Sequence, residues 1–202
     1  MPARQASGPA ARDPQAALAA LRRAWQPHAE RWVFGYASLI WRPEFDAAER
    51  RPALLHGWHR ALRMRSRVNR GTPEQPGLVF ALLPGGACRG LVYRLQPTRA
   101  DEELERLWAR EMPTGVYDAR LLPCRTSAGP VCALAFTLSR RSEAWLAQLP
   151  DAELLHILRH ARGRCGTTLE YLHETALALR AHGVRDREVE RLVALARRNA
   201  LL

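Results

Sequence analysis

A glutamate on the apolar face of a helix is the first residue in this chain that could do chemistry. Residues 98–112, TRADEELERLWAREM, have helical spacing, and Leu104, Leu107 and Trp108 form one apolar stripe. Glu111 falls within that stripe, where a carboxylate is costly unless it is paired. Burial would raise the pKa of this carboxyl group towards the range of a general base. A frayed last turn, with Glu111 facing solvent or paired with an arginine, fits the same pattern.

Polar residues of the same segment define the rest of the predicted helix. Thr98 and Asp101 have the spacing of a capping box at its start. We expect four charged side chains to point away from the apolar stripe: Glu102, Glu105, Arg106 and Arg110. The helix is expected to end at Met112, because a proline follows.

A sharp turn after an early strand is the second candidate. The segment WVFGYASLIW begins at Trp32 as a strand that runs into Gly35, and Tyr36, Ala37 and Ser38 follow. Consecutive backbone N–H groups at such a turn can form a nest for an anion or oxyanion. The segment is not a nucleophile elbow, because the GxSxG pattern is absent. An ordinary turn has the same spacing, so both interpretations stay open.

Four arginines follow in a segment rich in glycine and proline: Arg63, Arg65, Arg67 and Arg70. Alternation places the first three on one side of an extended strand. Guanidinium groups match the geometry of carboxylates, so one interpretation is a cationic site for a substrate carboxylate. The other is a solvated edge strand whose charges prevent aggregation.

Histidine spacing does not indicate a metal site. His156 and His160 stand four residues apart on a predicted helix, but HILRH lacks the glutamate of HExxH and no third ligand is evident. Glu170 and His173 give a single ExxH, whereas di-iron bundles use two. We therefore predict no metal.

The composition excludes several reaction classes. The chain has 202 residues, and all 31 of its Lys or Arg side chains are arginine. Without lysine there is no Schiff-base lysine, no pyridoxal anchor and no Walker-type phosphate lysine. The formal net charge is +11, but the arginines are spread along the whole chain. A solvated basic surface is therefore favoured over nucleic-acid binding.

The cysteines and the apolar runs bear on location. Four cysteines form no CxxC pair: Cys88, Cys124, Cys132 and Cys165. A chain of this length needs no disulfide framework, so a reduced, cytoplasmic setting is expected. No apolar run approaches the roughly 18 residues of a membrane span, so no membrane association is predicted.

Residues 1 to about 14 are expected to form a disordered tail, and residues 14 to about 27 a short helix.

Strand patterns fill the first part of the chain and helical patterns the last. Short apolar runs bounded by Gly and Pro predict strands at residues 32–34, 57–64, 78–83 and 91–95, with two more around a turn at 127–130. Pro84, Gly85 and Gly86 are expected to end one of them. After Arg140 the spacing is helical to the end of the chain. This order predicts an α+β fold, a curled, largely antiparallel sheet or small barrel flanked by helices, in one domain.

Together these segments resemble the ChaC family of γ-glutamylcyclotransferases. The matching motifs occur in the family's order: WVFGYASLIWRPEF, GWHRALRMRS, RGTPEQPGLVFALLPGGACRGLVYRL, LWAREMPTGVY and GTTLEYLHET. The resemblance covers residues 31 to about 195. It is specific, because several motifs must occur at the right spacing at once.

The resemblance implies a fold, an activity and a set of site residues. The expected fold is a small mixed or antiparallel β-barrel with flanking helices and a helical C-terminal part, in a domain over residues 31–202 after a segment over residues 1–30. The family is a lyase that cleaves glutathione to 5-oxoproline and cysteinylglycine, without a cofactor. Glu111 matches the catalytic glutamate. The positions that match substrate-binding residues are Val33, Phe34, Gly35, Tyr36, Ala37, Ser38, Leu39, Ser66, Arg70 and Tyr117.

One position departs from the family pattern. The family has FGYGSL, and this chain has Ala37 where the second glycine is expected. If that position requires a positive φ, alanine strains the loop; if it does not, the substitution is harmless. Two alternatives to glutathione cleavage therefore stay open: cyclotransfer from another γ-glutamyl amine or amino acid, and a non-catalytic binder that keeps the fold.

Overall fold

The computed structural model describes residues 13–26, 28–113 and 115–202. The predicted disordered tail lies almost entirely outside the described residues. The helices are α1 (Pro14–Trp25), α2 (Ser38–Trp41), α3 (Ala100–Glu111), α4 (Asp151–His160), α5 (Thr168–Ala181) and α6 (Arg187–Arg198). The strands are β1 (Trp32–Gly35), β2 (Ala47–Ser66), β3 (Gly77–Leu95), β4 (Asp118–Thr126), β5 (Gly129–Thr137), β6 (Arg162–Gly163) and β7 (Gly166–Thr167).

Five strands form a closed barrel in the order β1-β3-β2-β4-β5. All neighbouring pairs are antiparallel except β1 and β5, whose parallel pairing of Trp32 with Ala133 closes the barrel. The core is apolar and fully buried, and its largest side chains include Phe34, Phe80, Phe136, Leu55, Leu82 and Leu91. The predicted α+β class with a small mixed barrel and flanking helices is therefore confirmed.

The prediction that Pro84, Gly85 and Gly86 end a strand is wrong. β3 continues through them, because Gly57 of β2 faces both Gly85 and Gly86 and the pairing resumes on either side. All three of these glycines have positive φ. The extra residue forms a bulge, which bends a strand and increases its twist without ending it. Two long strands can thus curl far enough to form a closed barrel.

The helix that carries Glu111 packs against the barrel as its apolar stripe predicts. Leu104, Leu107 and Trp108 are each at most 3% exposed. The rings of Trp108 and Phe136 lie 6.1 Å apart between centroids, which joins α3 to β5. The predicted capping box is wrong: Arg99 precedes the first helical residue, and no side chain caps the helix there. Three acidic residues in its first turn stabilise the positive end of the helix dipole instead.

Two glycines permit the close approach of β1 and β3 where the barrel meets the loop after β1. A Cβ at Gly90 would lie 2.3 Å from the carbonyl oxygen of Gly35. A Cβ at Gly35 would lie 3.0 Å from the ring of Tyr93 and 3.2 Å from Cβ of Leu39. The chain can therefore turn sharply into α2 directly after β1.

A buried arginine connects this loop to the last helix. Arg60 of β2 is 2% exposed and donates hydrogen bonds to the carbonyl oxygens of Tyr36 and Arg89. Its Nη1 lies 2.6 Å from Oδ2 of Asp186. The other carboxylate oxygen of Asp186 accepts hydrogen bonds from the backbone N–H groups of Glu188 and Val189, so it also caps α6. The Asp186 carboxylate thus caps α6 and neutralises the guanidinium of Arg60, which holds the loop after β1.

No helix within the described ranges is long and apolar enough to cross a membrane.

We expect Asp186→Asn to destabilise the fold by about 3 kcal/mol, because asparagine can still cap α6 but leaves Arg60 buried without a counter-charge. Urea unfolding of the two proteins measures this difference. Asp151→Asn is the matched control: Asp151 pairs with Arg191 at 3.1 Å on the surface, and its loss should cost less than about 1 kcal/mol. Equal, small effects of the two substitutions would contradict the role given to Asp186.

Candidate active site

A narrow cavity at the mouth of the barrel brings together residues from six parts of the chain. Its lining consists of Tyr36, Ala37, Ser38, Leu39, Phe80, Glu111, Tyr117, Phe136 and Tyr171. Apart from the hydroxyls and one carboxylate, these side chains are apolar. An apolar lining with a few polar groups is typical of sites that orient a small ligand.

Residues 36–39 of the loop after β1 line this cavity. Ala37 has φ of −145°, so the position does not require the left-handed backbone that favours glycine. The carbonyl oxygens of Ala37 and Ser38 accept hydrogen bonds from Ile40 and Arg42. Within the part of the chain that the structure describes, the N–H groups of residues 37, 38 and 39 have no acceptor. Three donors thus remain available to an oxygen atom in the cavity.

Glu111 is the one carboxylate in the cavity lining. Its side chain is 15% exposed, so it does not face solvent, whereas the pairing with an arginine that the sequence also allowed does occur. Nε of Arg110 lies 3.0 Å from its Oε1. Burial raises the pKa of the Glu111 carboxyl above its usual value, Arg110 opposes this rise, and the nearby carboxylate of Glu44 adds to it. A carboxylate with a raised pKa is suited to take up and return a proton near neutral pH.

Three phenols surround the carboxylate. The hydroxyl of Tyr36 donates a hydrogen bond to the carbonyl oxygen of Phe136 at 3.0 Å, and Tyr117 bonds to Tyr36. The hydroxyl of Tyr171 accepts a hydrogen bond from the backbone N–H of Phe80 at 3.3 Å. Burial raises the pKa of each phenol, so all three are neutral at physiological pH. They add polarity to the cavity without adding charge.

Arg110 reaches the edge of the site, a contact that the helical spacing did not predict. Its Nη2 lies 3.1 Å from Oγ of Ser38, and its Nη1 donates to the carbonyl oxygens of Arg42 and Pro43. Together with its contact to Glu111, these bonds join the end of α3 to the loop and to the segment after α2.

Six of the site residues expected from the sequence lie in the cavity, and five do not. Tyr36, Ala37, Ser38, Leu39, Glu111 and Tyr117 line it. Val33, Phe34 and Gly35 are buried in β1, in the barrel wall that leads to the loop. They do not line the cavity.

Ser66 and Arg70 lie behind one wall of the cavity. Oγ of Ser66 accepts a hydrogen bond from the backbone N–H of Arg70 at 3.0 Å. The Arg70 guanidinium donates to the carbonyl oxygen of Cys165 and stacks 5.1 Å from the ring of Tyr171, which does line the cavity. The expected row of arginines does not converge on the site: Arg65 and Arg67 are exposed.

Three lining residues were not identified from the sequence: Phe80, Phe136 and Tyr171. Each lies in an ordinary apolar pattern of its strand or helix, and only barrel closure brings the three together. No group of three or more His, Cys, Asp or Glu side chains among the described residues could hold a metal ion.

Comparison with known proteins identifies the family. The family model described as ChaC-like protein matches residues 31–199. The chain is 35% identical over 156 residues to a glutathione-specific γ-glutamylcyclotransferase of Escherichia coli (strain K12), covering 77% of this chain and 68% of that one. It is 30% identical over 169 residues to glutathione-specific γ-glutamylcyclotransferase 1 of Mus musculus, covering 80% and 76%.

The fold has a counterpart among solved structures. A crystal structure of a selenomethionine-labelled γ-glutamyl cyclotransferase specific to glutathione from yeast matches with a TM-score of 0.76 and 22% identity, over 84% of this chain and 96% of that one. At that identity the likeness concerns the fold alone. The family match and the two relatives establish that the chain belongs to the ChaC family.

Proposed function

We propose that this protein is a γ-glutamylcyclotransferase that cleaves glutathione to 5-oxoproline and cysteinylglycine. The observation that carries the proposal is the position of a buried carboxylate, Glu111, in the same narrow cavity as three unpaired backbone N–H groups. A base and a set of oxyanion donors are the two parts that this cyclisation needs. The names of the relatives supply the substrate.

The reaction forms one bond and breaks one bond within the same substrate. The α-amine of the γ-glutamyl group attacks its own γ-carbonyl carbon, which forms the C–N bond of a five-membered lactam. The amide C–N bond to cysteine then breaks, and cysteinylglycine leaves as its amine. Because nucleophile and electrophile belong to one molecule, holding it folded supplies much of the rate, with effective molarities of roughly 10⁵ M or more in well-oriented cases.

Glu111 moves the proton that this sequence requires. Its carboxylate takes a proton from the α-ammonium, which frees the amine's electron pair for attack, and returns that proton to the leaving nitrogen. The second proton that the attacking nitrogen loses as the lactam forms passes to solvent. Its raised pKa makes the protonated form a usable acid for the second step. We place no other carboxylate in this role, because Glu111 is the one carboxylate in the cavity lining.

The loop after β1 stabilises the charge that develops on the γ-carbonyl oxygen. Ala37, Ser38 and Leu39 line the cavity, and their N–H groups have no acceptor among the described residues. In general, one such donor contributes roughly 3 kcal/mol to the stabilisation of an oxyanion. Tyr36 and Tyr117 contact the substrate in this proposal. Val33, Phe34, Gly35, Ser66 and Arg70 support these groups from behind.

A covalent cysteine intermediate is not part of the proposal. Burial raises the pKa of Cys88 to about 11 and that of Cys124 to about 12, so both thiols are protonated and unreactive at neutral pH. None of the residues that line the cavity is a cysteine. The four free thiols also support a reducing, cytoplasmic location, which we propose with the activity.

We expect the pure protein to convert glutathione to 5-oxoproline without added metal or cofactor, and Glu111→Gln to lower turnover by about 100-fold or more, because the amide cannot accept the proton. Mass spectrometry of 5-oxoproline measures both rates, beside a panel of other γ-glutamyl amines and amino acids. Glu102→Gln is the matched control, since Glu102 lies on the solvent side of the same helix and pairs with Arg106. Near-normal turnover by Glu111→Gln would remove Glu111 from the mechanism.

We expect Ala37→Gly to leave turnover similar or to raise it. The φ of −145° at this position is not the left-handed backbone that favours glycine, so restoring the family's glycine is not needed to relieve a positive φ. Steady-state kinetics with glutathione test this. A sharp loss of activity would instead indicate that the Ala37 methyl group contacts a different ligand.

We expect Glu111→Gln to be more stable than the wild type at neutral pH. The pKa of Glu111 is raised by burial above its ordinary value of 4.5, so ionisation favours the unfolded chain. This group's contribution to stability is therefore lost as the pH rises from about 4.5 through the folded-state pKa. Thermal melts at neutral and acidic pH test this: the advantage of Glu111→Gln should vanish in acid. A less stable Glu111→Gln at neutral pH would contradict it.

A further inference from the structure

The guanidinium of Arg110 is shared between the Glu111 carboxylate and the loop that lines the site. Its Nε lies 3.0 Å from Oε1 of Glu111, and its Nη2 lies 3.1 Å from Oγ of Ser38. Its Nη1 donates to the carbonyl oxygens of Arg42 and Pro43. One rigid, five-donor fork therefore connects the proposed base to both ends of α2.

A second carboxylate competes for the same cation. Oε2 of Glu44 lies 3.2 Å from Nη1 of Arg110, and Oε1 of Glu44 lies 2.5 Å from Nε of Arg42. Glu44 has φ of 58°, a left-handed backbone that a non-glycine residue rarely adopts. This strained backbone brings the carboxylate between the two guanidinium groups. Arg110 thus has two anionic partners, one in the cavity and one beside it.

We propose that Arg110 is a positioning residue for Glu111, and that Glu44 sets how much of the positive charge of Arg110 acts on the Glu111 carboxylate. The role given to Glu111 rests on the function proposed above. Arg110 fixes the carboxylate against the loop that carries the N–H donors. Glu44 offsets part of its charge, so that Glu111 remains basic enough to take a proton.

The charges around Glu111 predict opposite effects for the two residues. Burial raises the pKa of Glu111, Arg110 lowers it, and Glu44 raises it. The other titratable groups that face Glu111 are neutral phenols: Tyr36, Tyr117 and Tyr171. Removing the positive charge of Arg110 should therefore move the titration of Glu111 to higher pH. Removing the negative charge of Glu44 should move it to lower pH.

The test compares the acid limb of kcat/KM for glutathione across single variants. Arg110→Gln should shift this limb upward by about one pH unit, and Glu44→Gln should shift it downward. Arg106→Gln is the matched control, because Arg106 lies one turn earlier on α3, pairs with Glu102 and Glu103, and does not line the cavity; its limb should match the wild type. Shifts of Arg110→Gln and Glu44→Gln in the same direction, or no shift in either, would overturn the proposal.

Arg110→Lys separates charge from position. Lysine keeps the positive charge but lacks the fork that reaches Glu111, Ser38 and the backbone carbonyls together. We expect its acid limb to lie nearer to the wild type than that of Arg110→Gln, with kcat lowered about tenfold. A wild-type kcat in Arg110→Lys would overturn the positioning role.

A readout without turnover distinguishes this proposal from the proposed function. ¹³C NMR of protein labelled at the glutamate carboxyl carbon follows the titration of Glu111 directly, with its signal identified by its loss in Glu111→Gln. The midpoint should rise in Arg110→Gln and fall in Glu44→Gln, whether or not glutathione is cleaved. Opposite shifts without 5-oxoproline would support the charge arrangement and contradict the proposed function. Unmoved midpoints in an enzyme that still produces 5-oxoproline would support the proposed function and contradict the charge arrangement. If Arg110→Gln does not fold, Glu44→Gln decides the outcome, since Glu44 is 42% exposed.

Discussion

A carboxylate held almost out of water at the mouth of an apolar barrel is the constraint on which the rest of the site depends. Glu111 stands there because the last turn of α3 lies on the apolar stripe that docks the helix. The low polarity of its surroundings raises its pKa, and Arg110 limits the rise. The three neighbouring phenols supply polarity without charge. The burial that raises the pKa of Glu111 and makes it a usable base also lowers the stability of the folded protein when Glu111 is ionised.

The second requirement is a loop that does not move relative to this carboxylate. The turn after β1 is held by Arg60, which donates a hydrogen bond to the carbonyl oxygen of Tyr36 and whose charge is neutralised by Asp186. The turn is also held by Arg110, whose Nη2 donates a hydrogen bond to Oγ of Ser38. Holding the loop from two rigid elements keeps its N–H groups in a fixed position relative to Glu111. An intramolecular reaction gains most from such fixed geometry.

Local spacing was sufficient to predict some features and not others. The apolar periodicity of α3 located Glu111, and the strand that runs into Gly35 located the loop, because both signals lie within about a dozen residues. The lining residues Phe80, Phe136 and Tyr171 could not be found this way, since the barrel brings them together from distant elements. Helical spacing fixes where a Cβ points, but it does not fix how far a long guanidinium side chain reaches, which is why the contacts of Arg110 with Ser38 and Glu111 were not predicted. A proline–glycine run was mistaken for a strand end because a bulge has the same local pattern.

The most direct test is a crystal structure of Glu111→Gln with glutathione bound, since this variant should bind the tripeptide without converting it. The account predicts the α-amino nitrogen about 3 Å from the side-chain amide at position 111. It also predicts the γ-carbonyl oxygen within hydrogen-bonding distance of the N–H groups of Ala37, Ser38 or Leu39. A tripeptide bound outside this cavity, or with its α-amine directed away from position 111, would contradict it.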